Sequence, residues 1–268
     1  MKKLSLFIEQ AAKGLAPTDW WQKDMSDTQR LFYIKGGKGW IINTNATKTP
    51  FVPGKIYVFP SNFKQNFVTG KTDRIDHIYF DFFSTPPIIS DKPIIYDVPA
   101  GGPLESLLKT VDMLLPDRLP TGNRFDGFRT HADIPRSFTQ IIDAPHGVEE
   151  EFKQLIYSLL ETILTLLSYE REFPLSDDKT INAVLERIHR DFGENLSVSG
   201  LAAEAGFEVN YFIRRFRKMV GITPYSYLRR YRLAQARALC GSGYTLAEIA
   251  DMVGYEDASS LSRALKKQ

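Results

Sequence analysis

Two copies of one short pattern, both lying between Ser197 and Lys267, constrain this chain more than any other feature. Each copy reads helix, glycine turn, helix. In the first, Leu201-Ala202-Ala203-Glu204-Ala205 has small and apolar residues at helical spacing, Gly206-Phe207 breaks it, and residues 210–218 resume it. In the second, Ile249-Ala250-Asp251-Met252-Val253 leads into Gly254-Tyr255, and residues 259–267 follow. A short turn between steeply crossed helices needs a backbone position with positive φ, which glycine supplies at little cost. The small residues let the second helix of each pair approach the first. Between the copies, Thr223 is suited to cap a helix and Pro224 to be its first residue, so a helix is expected over 225–239. Thr245 and Glu248 have the spacing of a capping box at the start of the second copy.

Phe212 and Phe216 lie four apart and share one face of their helix, which leaves Asn210, Ile213, Arg214 and Arg217 to face elsewhere. A polar and basic outer face on the second helix of such a pair is what entry into the DNA major groove requires. The charge distribution agrees. From Thr180 onward the chain carries 13 Lys and Arg against 9 Asp and Glu, whereas the residues before it carry 21 against 23. Between Asn210 and Cys240 there are eight basic residues (Arg214, Arg215, Arg217, Lys218, Arg229, Arg230, Arg232 and Arg237) and no acidic one, the footprint of a surface that neutralises phosphates.

Gly206-Phe207, Tyr211-Phe212, Arg214, Phe216, Gly221-Ile222-Thr223-Pro224-Tyr225, Arg232-Leu233 and Ala236, with Ile249-Ala250 through Arg263, resemble the signature of the AraC/XylS family of bacterial transcription regulators. The resemblance covers roughly the last ninety residues and implies an all-α double helix-turn-helix domain that binds a double-stranded DNA operator and contacts RNA polymerase. Matched residue by residue, Asn210, Ile213 and Arg214 of the first unit and Ser259, Ser262 and Arg263 of the second fall at DNA-facing positions, with Arg217 as a phosphate contact. Two departures stand out: Glu208-Val209 occupies the place of a serine-like cap, and the chain stops at Gln268, before the glycine, proline and arginine that follow the second recognition helix in the family. The second recognition helix is accordingly expected to fray.

With 268 residues there is room for two domains with separate cores. Runs rich in aromatic and β-branched residues, at 31–34, 40–42, 55–59, 63–68 and 75–83, alternate with glycine and proline and read as short strands of a sandwich or small barrel. Gly36-Gly37-Lys38-Gly39 reads as a hairpin turn, since no helical pattern follows it. Joined to the helical half, this region resembles the cupin-like ligand domain of the family, so the expected class is α+β: an N-terminal cupin-like β-barrel with a helical hairpin, and a C-terminal double helix-turn-helix. The four histidines, His77, His131, His146 and His189, are far apart in sequence, so no metal site and no cofactor are expected, and no catalytic constellation can be assembled. Aromatic and polar residues on the predicted strands, namely Arg30, Tyr33, Trp40, His77 and Tyr79, are the candidates for holding a small effector, for which the resemblance suggests a sugar.

A helix is expected over 148–171, where Phe152, Ile156, Leu159, Ile163 and Leu166 step by four and three residues into a continuous apolar seam. That seam can pack on its own domain or on a second copy, and a homodimer is expected. The domain limits are 1–172 for sensing and dimerisation, 173–179 for a linker and 180–268 for DNA binding. The lone cysteine, Cys240, and the lack of a signal-like or membrane-length apolar run fit a cytoplasmic protein. The leading expectation is a ligand-responsive activator of sugar uptake or catabolism genes, not an enzyme. The alternatives are a regulator whose N-terminal domain binds a protein or peptide, and a cupin-type enzyme with a helical appendage.

Overall fold

The computed structural model describes residues 4–16, 24–25, 28–42, 46–61, 63–115, 149–240 and 243–266. Trp20, Trp21, His131 and His146 lie outside them, as does the side chain of Phe152.

The N-terminal half is built on two antiparallel sheets. Strands β1 (Ser5–Leu15), β8 (Asp76–Thr85), β3 (Gln29–Gly36), β6 (Lys55–Phe59) and β9 (Ile94–Asp97) form the larger in that spatial order. Strands β2 (Asp24–Met25), β7 (Lys64–Thr69), β4 (Gly39–Ile42) and β5 (Lys48–Pro50) form the smaller. The α+β class is as expected, but the β region resolves into two sheets, with no strand ladder joining them among the described residues. The glycine turn at 36–39 is not a hairpin: β3 and β4 belong to different sheets, so it carries the chain from one layer to the other.

Strand alternation divides β8 between two cores. Ile78, Phe80 and Phe82 join Leu31, Ile56 and Val58 in a core shared with helices α1 (Pro103–Leu114) and α2 (Glu149–Glu170). His77 and Tyr79 face the opposite way, where Phe32, Phe51, Phe59, Phe63 and Phe67 fill the space between the sheets. Most of the described part of the α2 seam packs on its own domain. Ile156, Leu159, Ile163 and Leu164 are buried in the first of these cores, and what α2 turns outward is Gln154, Leu155, Ser158, Glu161 and Thr162. Three of the five seam residues, Ile156, Leu159 and Ile163, are therefore taken up within one copy, and Leu166 is half-buried beside them.

β1 is an edge strand with a bulge at Glu9, one extra residue between Ile8 and Gln10 opposite Phe82 and Asp81. On its free side the Tyr157 hydroxyl of α2 lies 3.0 Å from the Ile8 amide and 3.4 Å from its carbonyl oxygen.

The C-terminal half is helical throughout its described residues: α3 (Lys179–Asp191), α4 (Val198–Glu204), α5 (Val209–Val220), α6 (Pro224–Leu239), α7 (Leu246–Met252) and α8 (Ala258–Lys266). Helix α6 serves both repeats. Its first half gives Tyr227 and Leu228 to a core with α3, α4 and α5, and its second half gives Leu233 and Ala236 to a core with α7 and α8.

The halves meet across the end of the larger sheet. Phe7 and Phe83 stack with centroids 5.8 Å apart and belong to the core of the first helical repeat, where Tyr227 meets both rings. The bulge releases the Glu9 side chain from the ladder, and both its oxygens lie 3.3 Å from the Arg230 guanidinium of α6. Beside this pair His189 shares a 2.7 Å hydrogen bond with the Tyr227 hydroxyl and stacks on Tyr231. Burial holds the His189 imidazole neutral, with its pKa lowered from 6.5 to about 4. The unfolded chain therefore binds a proton that the folded chain refuses, and stability drains away as pH falls from 6.5 toward 4. A gap of this size corresponds to about 3 kcal/mol at full development. Between pH 6.5 and 5, where the carboxylates are still ionised, denaturant titrations should show a falling midpoint that His189→Phe flattens.

Candidate nucleic-acid interface

Each repeat builds its outer helix in the same way. Gly206 and Gly254 hold φ of 70° and 76°, so the backbone reverses without strain at both turns. A side chain at Gly254 would also collide with Arg232 and with the Gly193 carbonyl, each 2.7 Å from where a Cβ would sit. Glu208 is a working cap despite its unusual type: its carboxylate accepts the Asn210 and Tyr211 amides of α5, each at 2.9 Å, and also the Asn210 side-chain amide at 3.1 Å. Those backbone hydrogen bonds, with Arg214 nearby, hold its pKa below the usual carboxylate value. In the second repeat Asp257 does the same for α8, accepting the Ser260 amide at 2.6 Å, and its pKa is likewise lowered, chiefly by that bond.

Capping fixes the phase of each helix, and equivalent residues lie 49 apart: Asn210 with Ser259, Ile213 with Ser262, Arg214 with Arg263. Among them Asn210, Arg214, Ser259 and Arg263 are exposed, Ile213 and Ser262 are half-buried, and Arg217 is exposed beside Lys218. The buried faces are Phe212 and Phe216 in α5 and Leu261 and Ala264 in α8. Arg263 lies back along its own helix, donating to the Ser259 carbonyl at 3.3 Å and the Ser260 hydroxyl at 3.2 Å.

The basic cluster read from the sequence separates into two populations. Arg214, Arg217 and Lys218 are exposed on the recognition helix, whereas four others are tied to neighbouring parts of the protein and Arg237 is half-buried on α6. Arg215 pairs with Asp178 at 2.7 Å, Arg229 lies beside Tyr255, and Arg230 reaches Glu9. Arg232 donates to three main-chain carbonyls, those of Phe192, Glu194 and Gly254, at 2.7, 2.6 and 2.9 Å. It thereby ties the shared helix to the end of α3 and to the turn of the second repeat. Counting charge along the sequence cannot make this separation, because paired guanidinium groups score the same as exposed ones. Asp178 and Glu9 carried no signal in that reading, although an aspartate just before a helical pattern is itself a cap signature.

In the N-terminal half the five candidate effector residues are not brought together. Arg30, His77 and Tyr79 occupy the face of the larger sheet that looks toward the smaller. Tyr33, one residue out of phase with Phe32, packs in the helical core instead, and Trp40 lies out of phase with the buried Ile41. Arg30 pairs with Asp81 at 3.0 Å, and His77, 2% exposed, donates from Nδ1 to the Gly14 carbonyl at 3.1 Å. Among the described residues no three His, Cys, Asp or Glu converge to hold a metal ion, and no helix is long and apolar enough to cross a membrane.

A family model described as a helix-turn-helix domain matches residues 184–268. The transcriptional regulatory protein HptR of Staphylococcus aureus is 34% identical over 91 residues, which cover 34% of this chain and 36% of HptR. A putative AraC-like transcription regulator of Streptomyces lividans is 37% identical over 91 residues, covering 34% of this chain and 30% of that protein. The chain thus spans about a third of the length of the curated relatives it matches. A solved structure of ToxT from Vibrio cholerae aligns with 99% of this chain and 94% of that one, at 11% identity and a TM-score of 0.45.

Proposed function

We propose, from the premise that residues 184–268 are an AraC-type helix-turn-helix domain, that this chain is a sequence-specific DNA-binding transcription regulator. The observation that carries the reading is the pair of capped helices, α5 and α8, which present an exposed arginine at the same phase from two repeats sharing one helix. The domain supplies two reading heads for successive turns of the major groove, and Arg217 and Lys218 lie where phosphate neutralisation adds affinity without sequence preference.

The N-terminal half is read as a sensing domain that responds to a small molecule and sets transcription of uptake or catabolism genes, with contact to RNA polymerase and a cytoplasmic site of action carried over from the family resemblance. His77, Tyr79 and Arg30 share the face between the sheets, and an effector lodged there would have to displace part of the aromatic packing that now fills it. The ring-filled surroundings of His77 favour one that offers a flat or apolar face, and a sugar meets that condition through its C–H face. A homodimer would use what α2 leaves exposed, Leu155 among it, or another surface.

The reading is tested on a duplex enriched by the full-length chain from a random-sequence pool. Arg214→Ala should lose the discrimination of a bidentate guanine contact, about 1–3 kcal/mol, and Arg263→Ala should lose less, because Arg263 begins bound to its own helix. Arg217→Ala should weaken all sequences alike and lower the salt slope by about 1. Equal losses on the enriched duplex and on a mixed-sequence one for all three variants would leave the chain a non-specific binder.

A further inference from the structure

Arg215 lies among the basic residues of the recognition helix, yet its partly exposed guanidinium is held by three neighbours within the protein. Its Nε is 2.7 Å from Asp178 Oδ2, its other end donates to the Tyr211 hydroxyl at 2.9 Å, and it lies over the Phe207 ring at 5.2 Å. Asp178, with a side chain 7% exposed, uses its second oxygen to cap α3 by accepting the Ile181 amide at 3.2 Å.

Asp178 stands at the end of the segment that joins the two halves, and that segment is not loose. Ile88 and Leu175 form a bridge, with the Ile89 amide donating to Pro174 at 2.7 Å and the Ser176 amide to Pro87 at 2.8 Å. Phe173 is buried in the core of the N-terminal half. The buried Ser176 hydroxyl then accepts the Asp178 amide at 3.2 Å, and its carbonyl accepts the Asn182 side chain at 3.1 Å. A run of hydrogen bonds therefore leads from the segment between β8 and β9, through the connecting segment, to Asp178 and across to α5.

We infer that Arg215 and Asp178 form a positioning pair that sets the angle of the first recognition helix from the geometry of the interdomain segment, and that Arg215 is not a DNA contact. The inference rests on the DNA-binding reading above. Hydrogen-bond and salt-bridge networks with discrete arrangements can carry coupling between sites, and measured coupling is what establishes it. Arg215 is suited to the task because its planar fork holds two partners in fixed directions, which a lysine could not.

Charge gives the test its sign. Asp178→Asn removes a negative charge near the DNA-binding surface but keeps a residue that caps helices well. If the pair were irrelevant to recognition, electrostatics alone would leave the variant binding as tightly as the native chain or more so. The experiment compares the full-length chain with Asp178→Asn, Arg215→Gln and the double variant, on the duplex enriched from a random pool and on a mixed-sequence duplex of equal length. Each single change should weaken the enriched duplex about threefold to thirtyfold, the range covered by coupling through packed side chains. The double variant should be no worse than the weaker single one, Asp178→Asn should bind the mixed duplex undiminished, and the salt slope of Arg215→Gln should match the native value. Undiminished binding of the enriched duplex by Asp178→Asn overturns the inference. So does a weakening of both duplexes by Arg215→Gln with a salt slope lower by about 1, which would make Arg215 a phosphate contact. A lowered melting temperature with unchanged affinity for the enriched duplex would make the pair purely structural and also overturn it. A native chain that enriches no duplex removes the DNA-binding reading itself, and the inference with it.

Discussion

Ile163→Glu should unfold the N-terminal half of the chain and not release monomers from a dimer. Ile163 is completely buried, packed with Ile156, Leu160 and Leu167 against the larger sheet and α1. The substitution discards the burial of a branched side chain and leaves a carboxyl group among the hydrocarbon side chains of that core. The combined cost is at least about 4 kcal/mol, a large part of the roughly 5–15 kcal/mol that holds an ordinary domain together. Circular dichroism with guanidinium titration should find the β signal lost at far lower denaturant. Leu155→Glu, on the outward side of α2, should shift stability by no more than about 0.5 kcal/mol. If Ile163→Glu instead gave a folded chain that merely sedimented at half the native mass, the assignment of the seam to the domain's own core would be wrong.

The second large effect is expected at Arg232. Removing its side chain takes the donor from three carbonyls, those of Phe192 and Gly254 being in part-buried bonds, and hydrogen bonds to a charged donor contribute roughly 1.5–3 kcal/mol each, not fully additively. Arg232→Ala should therefore cost about 3 kcal/mol or more of the stability of the helical half. Because the three carbonyls come from Phe192, Glu194 and Gly254, the loss also frees the second repeat from the first. Affinity for a duplex spanning both recognition sites should fall further than affinity for a half-length duplex, in titrations run at a temperature where the variant is still folded. Arg232→Lys should recover only part of either loss, since an ammonium cannot address three divergent carbonyls at once. Equal affinity changes on the two duplexes would separate Arg232 from the spacing of the units.

The helical half was legible because its signals are local. The turn glycines, the Thr223-Pro224 start and the Thr245–Glu248 box each act within a few residues, and the structure has each in place. Glu208 shows the same logic from the other side: a residue outside the usual cap set serves because its carboxylate can reach the Asn210 and Tyr211 amides together. The β half was legible only where strands carry β-branched and aromatic residues, as in β3, β6 and β8. β1 escaped notice because Gln10, Ala11, Ala12, Lys13 and Gly14 have no strand preference; they are held extended by the ladder to β8, a tertiary effect no window on the sequence contains. The same limit explains the effector residues. Tyr33 and Trp40 were grouped with Arg30, His77 and Tyr79 by residue type, whereas strand phase assigns them to other faces. The acidic partners of Arg215 and Arg230 lie 37 and 221 residues away and those of Arg232 are backbone atoms, so their removal from the DNA-facing set is out of reach of composition.

The tyrosine of α2 that reaches over β1 also bears on how this protein fails. A sheet border with open amides and carbonyls is a template on which another chain can lay a strand, and repetition of that step makes fibrous aggregates. Here the Tyr157 hydroxyl sits against both main-chain groups of Ile8, and the neighbouring bulge disturbs the spacing an incoming strand would need. The guard is carried by the helix whose inner face fills the core, so the two protections stand or fall together. Any change that lifts α2 uncovers apolar surface and unseals the border in one event, and loss of fold in this half should proceed directly into insoluble strand-linked material.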